Sequence, residues 1–237
     1  RLRWCKEVNM AKCKCQYCKD TGWTSKIVDG VEYFAECECE KQKRARARVQ
    51  KHIEESGLAK VLERLTFSSY KADTQAKQNI KAKAERFTND KTGSWWLITG
   101  GTGTGKTHIT TAICGELIKR GKSVRYMQWR QEASEIKALA TNGEQYSKRV
   151  RQLQTAEVLY IDDLFKGSVT EADINLAYLI INDRYNSDKV TLISTELQFE
   201  RLQKIDEAIA GRLYERTNLD FNIQIGSIKN QRLKGAI

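Results

Sequence analysis

Between an apolar run, Trp95-Trp96-Leu97-Ile98-Thr99, and the helically spaced series Ile109, Ala112, Ile113, Leu117 and Ile118, the chain reads Gly100-Gly101-Thr102-Gly103-Thr104-Gly105-Lys106-Thr107. This is the pattern G-x-x-x-x-G-K-[ST], and strand, glycine-rich turn and helix form the setting it requires. The glycines let backbone N–H groups close around phosphate oxygens, and the N-terminus of the following helix adds a favourable partial charge. Lys106 is placed to reach the β- and γ-phosphates, and the Thr107 hydroxyl to hold Mg²⁺. Gly121 is a plausible C-cap for the helix, and Cys114 on it reads as a small buried apolar residue. The expectation is a site for a nucleoside triphosphate.

Around that turn, strands and helices alternate. A helix is expected over 77–88 and strands over 95–99, 123–127, 158–163 and 190–195. A long polar helical stretch is expected over 130–153, and a further helix over 171–186. Such alternation predicts a parallel, three-layer α/β sheet. One strand–helix unit separates the phosphate strand from Val158-Leu159-Tyr160-Ile161-Asp162-Asp163, an order that suits the branch of P-loop proteins holding most ATP-driven machines. In this second motif Asp162 is expected in the Mg²⁺ shell, and Asp163 where a base or water-orienting group is needed. The fourth strand ends Ser194-Thr195-Glu196, where a polar group would sense the γ-phosphate; Thr195 and Glu196 are both candidates. Farther on, Arg212 and Arg216 stand four apart on one helix face, from which an arginine can enter a neighbouring subunit's site or form a surface ion pair. Arg232 is a candidate second cation for the same phosphates.

Six of the seven cysteines, Cys5, Cys13, Cys15, Cys18, Cys37 and Cys39, fall in the first 39 residues. In a chain read as cytosolic, this pattern points to metal and not to disulfides. Cys15-x-x-Cys18 with Cys37-x-Cys39 is the sharpest selection for a tetrahedral Zn²⁺, with Cys13 as the alternative to Cys15 and Cys5 as a bystander. Lys19 to Trp23 resembles a zinc-knuckle turn, and Val31 to Phe34 can form the returning strand of a hairpin. The role expected for the metal is structural, since the segment is too small to hold a core by itself.

Three parts are expected: a zinc-binding segment 1–40, a basic helical linker 41–64, and a nucleotide-binding domain 65–237. Residues 41–51 hold six basic side chains and no acid, and Gly57 interrupts the helical pattern. A formal net charge of +11 favours contact with an anionic polymer, and for a nucleotide-binding chain the first candidate is nucleic acid. Lys166, Thr170 and the basic stretch 148–151 are the candidate contacts. No apolar run approaches the ~20 residues that span a bilayer, and Arg1-Leu2-Arg3-Trp4-Cys5-Lys6 lacks an apolar signal region. The expectation is a cytoplasmic protein with no membrane contact.

Together these residues resemble the DnaC/DnaI-type helicase loaders of the AAA+ superfamily, particularly phage and Gram-positive DnaC-like proteins. The likeness is carried by Cys15-x-x-Cys18 with Cys37-x-Cys39, Leu65-Thr66-Phe67, Gly100 to His108, Tyr160 to Leu164, Ile193-Ser194-Thr195, Gly211-Arg212 and Arg232-Leu233-Lys234. It implies an AAA+ P-loop core without a full lid domain, preceded by a small zinc-binding domain that grips a DnaB-type replicative hexameric helicase. It further implies ATP-dependent self-assembly around single-stranded DNA. By this likeness Gly101, Thr102, Gly103, Thr104, Gly105, Lys106, Thr107 and His108 hold the nucleotide, and Phe67 lies on the adenine side. Arg212 matches the arginine finger, Arg216 is second to it, and Arg232 matches the sensor-2 arginine. The chain departs from the pattern with Asp163 where relatives carry Glu and Glu196 where Asn is usual. An IstB-like transposition ATPase, which delivers a transposase to target DNA on the same core, is the alternative.

Overall fold

A computed structural model describes residues 14–226 of the 237-residue chain. The chain divides into two compact units, Arg1–Lys51 and His52–Ile237.

In the first unit, β1 (Trp23–Val28) and β2 (Val31–Glu36) form an antiparallel hairpin in which Val28 pairs with Val31. The two-residue turn is Asp29-Gly30, both with positive φ (50° and 79°), which is the backbone that matches the right-handed twist of paired strands. Helix α1 (Glu38–Glu55) follows and carries the basic stretch; residue 40, where the composition shifts, lies within it. Among the described residues of this unit the only buried apolar side chains are Cys18 and Cys37. Trp23, Ile27, Tyr33 and Phe34 are all more than half exposed, so the hairpin has no hydrocarbon core.

Gly57 (φ 79°) ends the helical run, as the sequence suggests, and the short α2 (Ala59–Leu62) follows. Helix α3 (Gln75–Phe87) starts at Thr74, whose side chain accepts from the Lys77 N–H. Then come β3 (Trp96–Gly100), α4 (Lys106–Lys119), β4 (Val124–Gln128), α5 (Trp129–Ala138), α6 (Gly143–Thr155), β5 (Val158–Asp162), α7 (Glu171–Asn186), β6 (Val190–Thr195), α8 (Phe199–Ile205), α9 (Glu207–Thr217) and β7 (Asn222–Ile225). The strands lie in the order β4-β5-β6-β3-β7, every neighbouring pair parallel.

Strand alternation sorts the side chains. Leu97, Leu159, Ile161 and Ile193 join Trp129, Ile136, Leu153, Leu176, Ile180 and Leu213 in one buried cluster under α5, α6, α7 and α9. On the opposite face lies α4, where the Trp96 indole donates to the Thr110 hydroxyl (3.2 Å). Helices on both faces make the three-layer α/β core. No helical lid follows β6 among the described residues, only α8, α9 and β7. None of the described helices is long and apolar enough to cross a membrane.

Two expectations need correction. The stretch 130–153 is not one helix: α5 stops at Leu139, and Asn142 restarts the chain as α6 by accepting the Gln145 N–H (3.1 Å). Thr141-Asn142-Gly143 carries the turn chemistry that breaks it. The sheet also gains a fifth strand, β7, which the four-residue Asn222-Ile223-Gln224-Ile225 gives little pattern to announce. Arg184 ties the helical layer to the sheet. Its fully buried guanidinium donates to the carbonyls of Leu153, Gln154, Ala156 and Val190 and to the Thr191 hydroxyl.

Candidate functional site: a phosphate cleft and a four-thiol cluster

β3 ends in Gly100 at φ 148°, a backbone that L-residues rarely adopt. A Cβ there would stand 2.7 Å from Ile225 Cβ and 2.9 Å from the Ile225 carbonyl oxygen, so the loop starts flush against β7. Thr104 braces the turn by donating to Gly101 O (2.9 Å), and Gly105 (φ 97°) precedes the first residue of α4. The Lys106 ammonium donates to Gly100 O (2.7 Å) and Gly101 O (2.9 Å). Burial pushes its pKa down, opposed by the charges of Asp163 and Glu196.

Asp162 belongs to the α4 face of β5, as does Tyr160 two residues earlier. Thr107 donates to its Oδ1 (3.2 Å), Tyr160 to the same oxygen (2.6 Å), Tyr126 to Oδ2 (3.1 Å), and Ser194 closes on Oδ1 as well. Burial first, then the Asp162 charge, raises the pKa of both phenols, so they serve as neutral donors. Thr107 and Asp162 are thus brought together at hydrogen-bond distance, and the hydroxyls of Tyr126, Tyr160 and Ser194 orient the carboxylate. Tyr160 and Ser194 fall within the motifs read from the sequence but carry no site role there, and Tyr126 carries none either. The period-2 pattern of β5 carries the signal for Tyr160; Tyr126 comes from the neighbouring strand.

Asp163 also takes a left-handed backbone (φ 58°), with its N–H on the Ser194 hydroxyl (3.0 Å) and its Oδ2 2.8 Å from Lys166 Nζ. Lys166 is 2.9 Å from Glu196 Oε1 too, and the Thr102 hydroxyl donates to that same oxygen (2.7 Å). Burial works against ionisation of Glu196, yet the bonds from Lys166 and Thr102 hold its pKa below the usual range. Thr102 to His108, Asp163, Lys166 and Glu196 line one cleft of about 530 Å³.

Not every candidate faces this cleft. Thr195 is fully buried and its hydroxyl donates to Leu164 O (2.8 Å), so of the two sensor candidates only Glu196 lines the space. Phe67 does not line it; Leu65, Ser69 and Tyr70 from the same segment do. His108 holds that segment, its Nε2 3.0 Å from Thr66 O and its ring edge-on to Tyr70 (5.3 Å). Thr170 is the N-cap of α7 in a capping box with Asp173, and Arg149 is engaged with Glu132 (3.2 Å). Arg212 is absent from its own chain's cleft lining. Its guanidinium is bonded to Asn182 Oδ1 (2.7 Å) and Ala208 O (2.9 Å), and it stands over the Tyr178 ring (5.1 Å). Arg216 pairs with Asp188 (2.8 Å). Cys5, Cys13 and Arg232 lie outside the described residues.

In the first unit the sulfurs of Cys15, Cys18, Cys37 and Cys39 all lie within 4.8 Å of one another. Cys15 and Cys37 are 3.7 Å apart, Cys18 and Cys39 3.4 Å, and all four are free thiols. Zn–S bonds of about 2.3 Å in a tetrahedron put sulfurs ~3.8 Å apart, so the donor set fits that ion. The Asp20 carboxylate accepts the N–H groups of Lys14 and Cys15 and shapes the knuckle. Backbone N–H groups of Cys18 and Tyr17 lower the Cys15 pKa to about 6, while the neighbouring thiols, Cys18 first, push that of Cys39 up.

A family model described as IstB-like ATP binding protein matches residues 9–232. The chain is 27% identical to the phage-like element PBSX protein XkdC of Bacillus subtilis (strain 168), over 97% of this chain and 90% of that protein. It is 25% identical to the replicative helicase loader DnaC of Escherichia coli (strain K12), over 72% of this chain and 70% of that one. Of solved structures, that of DnaI superimposes with a TM-score of 0.57 at 22% identity, covering 72% of this chain and 92% of the other.

Proposed function

The chain belongs to the family of IstB-like ATP binding proteins, and from that premise we propose that it loads a replicative hexameric helicase of the DnaB type onto single-stranded DNA in an ATP-dependent way. The observation that carries this reading is the cleft lined by Lys106, Thr107 and Asp163, with the Thr107 hydroxyl on the buried Asp162, in a chain similar to a replicative helicase loader over most of its length. In it, Lys106 and the loop N–H groups hold the triphosphate, and Thr107 and Asp162 hold Mg²⁺, which supplies charge neutralisation on the phosphates. Asp163 orients the attacking water.

Arg212 acts in trans. It is bonded to Asn182, stands over the Tyr178 ring and does not line its own cleft, so it completes the site of an adjoining subunit and makes turnover depend on assembly. Zn²⁺ on Cys15, Cys18, Cys37 and Cys39 organises the hairpin, whose exposed Trp23, Tyr33 and Phe34 offer the helicase an apolar surface. Single-stranded DNA is gripped through its backbone by the basic surface, and the protein works in the cytoplasm.

The test is co-expression with the host or phage replicative helicase, followed by mass measurement of the complex with and without ATP. A stable complex lost on trimming residues 1–64 supports the loader reading, and no association with the helicase refutes it. The alternative, an IstB-like transposition helper that delivers a transposase to target DNA, lies within the same family. Capture of a transposase in place of the helicase would decide for it.

A further inference from the structure

The turn after β5 returns a lysine to the acid that precedes it. Asp163 and Phe165 both take left-handed backbone (φ 58° and 59°), and the Lys166 N–H closes the turn on Asp163 O (3.0 Å). Both residues between are buried anchors. Leu164 donates its N–H to Ser194 O (2.9 Å) and accepts the Thr195 hydroxyl, and the Phe165 ring stands edge-on to Trp129 (5.4 Å). The Lys166 ammonium is thereby delivered into the cleft between two carboxylates, 2.8 Å from Asp163 and 2.9 Å from Glu196.

Charge makes this arrangement selective. A triphosphate differs from a diphosphate by the γ-phosphoryl group, which would enter the side of the cleft where Asp163 and Glu196 add negative charge of their own. Lys106 is bonded to two loop carbonyls, and among the described residues Lys166 is the cation at ion-pair distance from both acids. Glu196 is joined to Thr102 in the phosphate loop, so the ammonium is linked to that loop as well.

We propose that Lys166 is the residue that selects triphosphate over diphosphate: it cancels the charge of Asp163 and Glu196 and offers its ammonium to the γ-phosphate, while holding Asp163 in place. It supplies the sensing group that the buried Thr195 hydroxyl cannot. The proposal rests on the nucleotide-binding reading of the cleft.

The experiment titrates the full chain with the Mg²⁺ complexes of ADP and of a non-hydrolysable ATP analogue. Lys166→Met is expected to weaken the analogue at least tenfold and to leave ADP within twofold, so that ADP binding reports an intact fold. Lys166→Arg, which keeps the charge, is expected to retain most of the preference. Equal weakening of both nucleotides, no change in either, or loss of the preference in Lys166→Arg with ADP still bound would overturn the proposal. Should the unaltered chain take up neither nucleotide, the cleft reading itself fails, and this proposal with it.

Discussion

Replacing Asp162 by Asn separates what the carboxylate does for the fold from what it does for the ligand. Asp162 is 4% exposed and accepts from four hydroxyls, those of Thr107, Tyr126, Tyr160 and Ser194, with no cation at ion-pair distance among the described residues. Desolvating such an ion costs several kcal/mol, and hydrogen bonds to a charged group return about 1.5–3 kcal/mol each, so the terms nearly cancel. An asparagine keeps Oδ1 for Tyr160 and Ser194, while the hydroxyls of Tyr126 and Thr107 can rotate to accept from its amide. The ligand-free stability of Asp162→Asn is therefore expected within about 1 kcal/mol of the unaltered protein. With Mg-ATP the two diverge. Ligand at 100 times its Kd stabilises by about 2.7 kcal/mol. At roughly 2–4 °C per kcal/mol for a domain of this size, that amounts to a rise in Tm of about 5–11 °C, expected for the unaltered chain and absent in the variant. Thermal unfolding followed by tryptophan fluorescence, with and without Mg-ATP, reads both numbers. A ligand-free Tm lower by more than about 8 °C would show that the charge is structural, and a full Mg-ATP shift in the variant would remove Asp162 from the metal site.

Arg212→Ala is expected to leave ATP binding by dilute protein unchanged and to lower phosphate release at least ~100-fold; weakened binding would place this arginine in its own chain's site. The four-thiol cluster is expected to carry one zinc per chain by elemental analysis. Chelation should expose residues 15–40 to protease while the α/β unit keeps its Tm, because Cys18 and Cys37 are the only buried apolar side chains described there. Arg184→Met removes the donor to four carbonyls and the Thr191 hydroxyl, and urea unfolding should show a loss of about 3–5 kcal/mol; less than ~1 kcal/mol would mean that water replaces those bonds.

What could be read from the chain was local in sequence. The phosphate loop, the apolar strand ending in Asp162 and Asp163, and the paired cysteines each lie within a few residues, and the elements flanking them fix their geometry. What escaped depends on residues far apart. Tyr126 reaches Asp162 from the adjacent strand, and only the sheet order β4-β5 reveals it. Two left-handed residues turn Lys166 back toward Asp163, a conformation that Asp tolerates better than most residues but that Phe does not signal by type. The choice between Thr195 and Glu196 needed the sheet: Ser194 meets Asp162 across it, so Thr195, next in an alternating strand, points to the other face. Residues 130–153 misled because good helix formers flank a break that only Thr141-Asn142-Gly143 marks.

The contact between Gly100 and Ile225 makes the order of folding part of the binding site. A strand made late in synthesis, β7, forms the floor against which a turn made more than a hundred residues earlier is set. While the ribosome has yet to release Phe221 to Ile225, the growing polypeptide can contain Lys106, Thr107, Asp162 and Asp163 and still lack the surface that shapes their cradle. ATP capture would thus report that the sheet has closed.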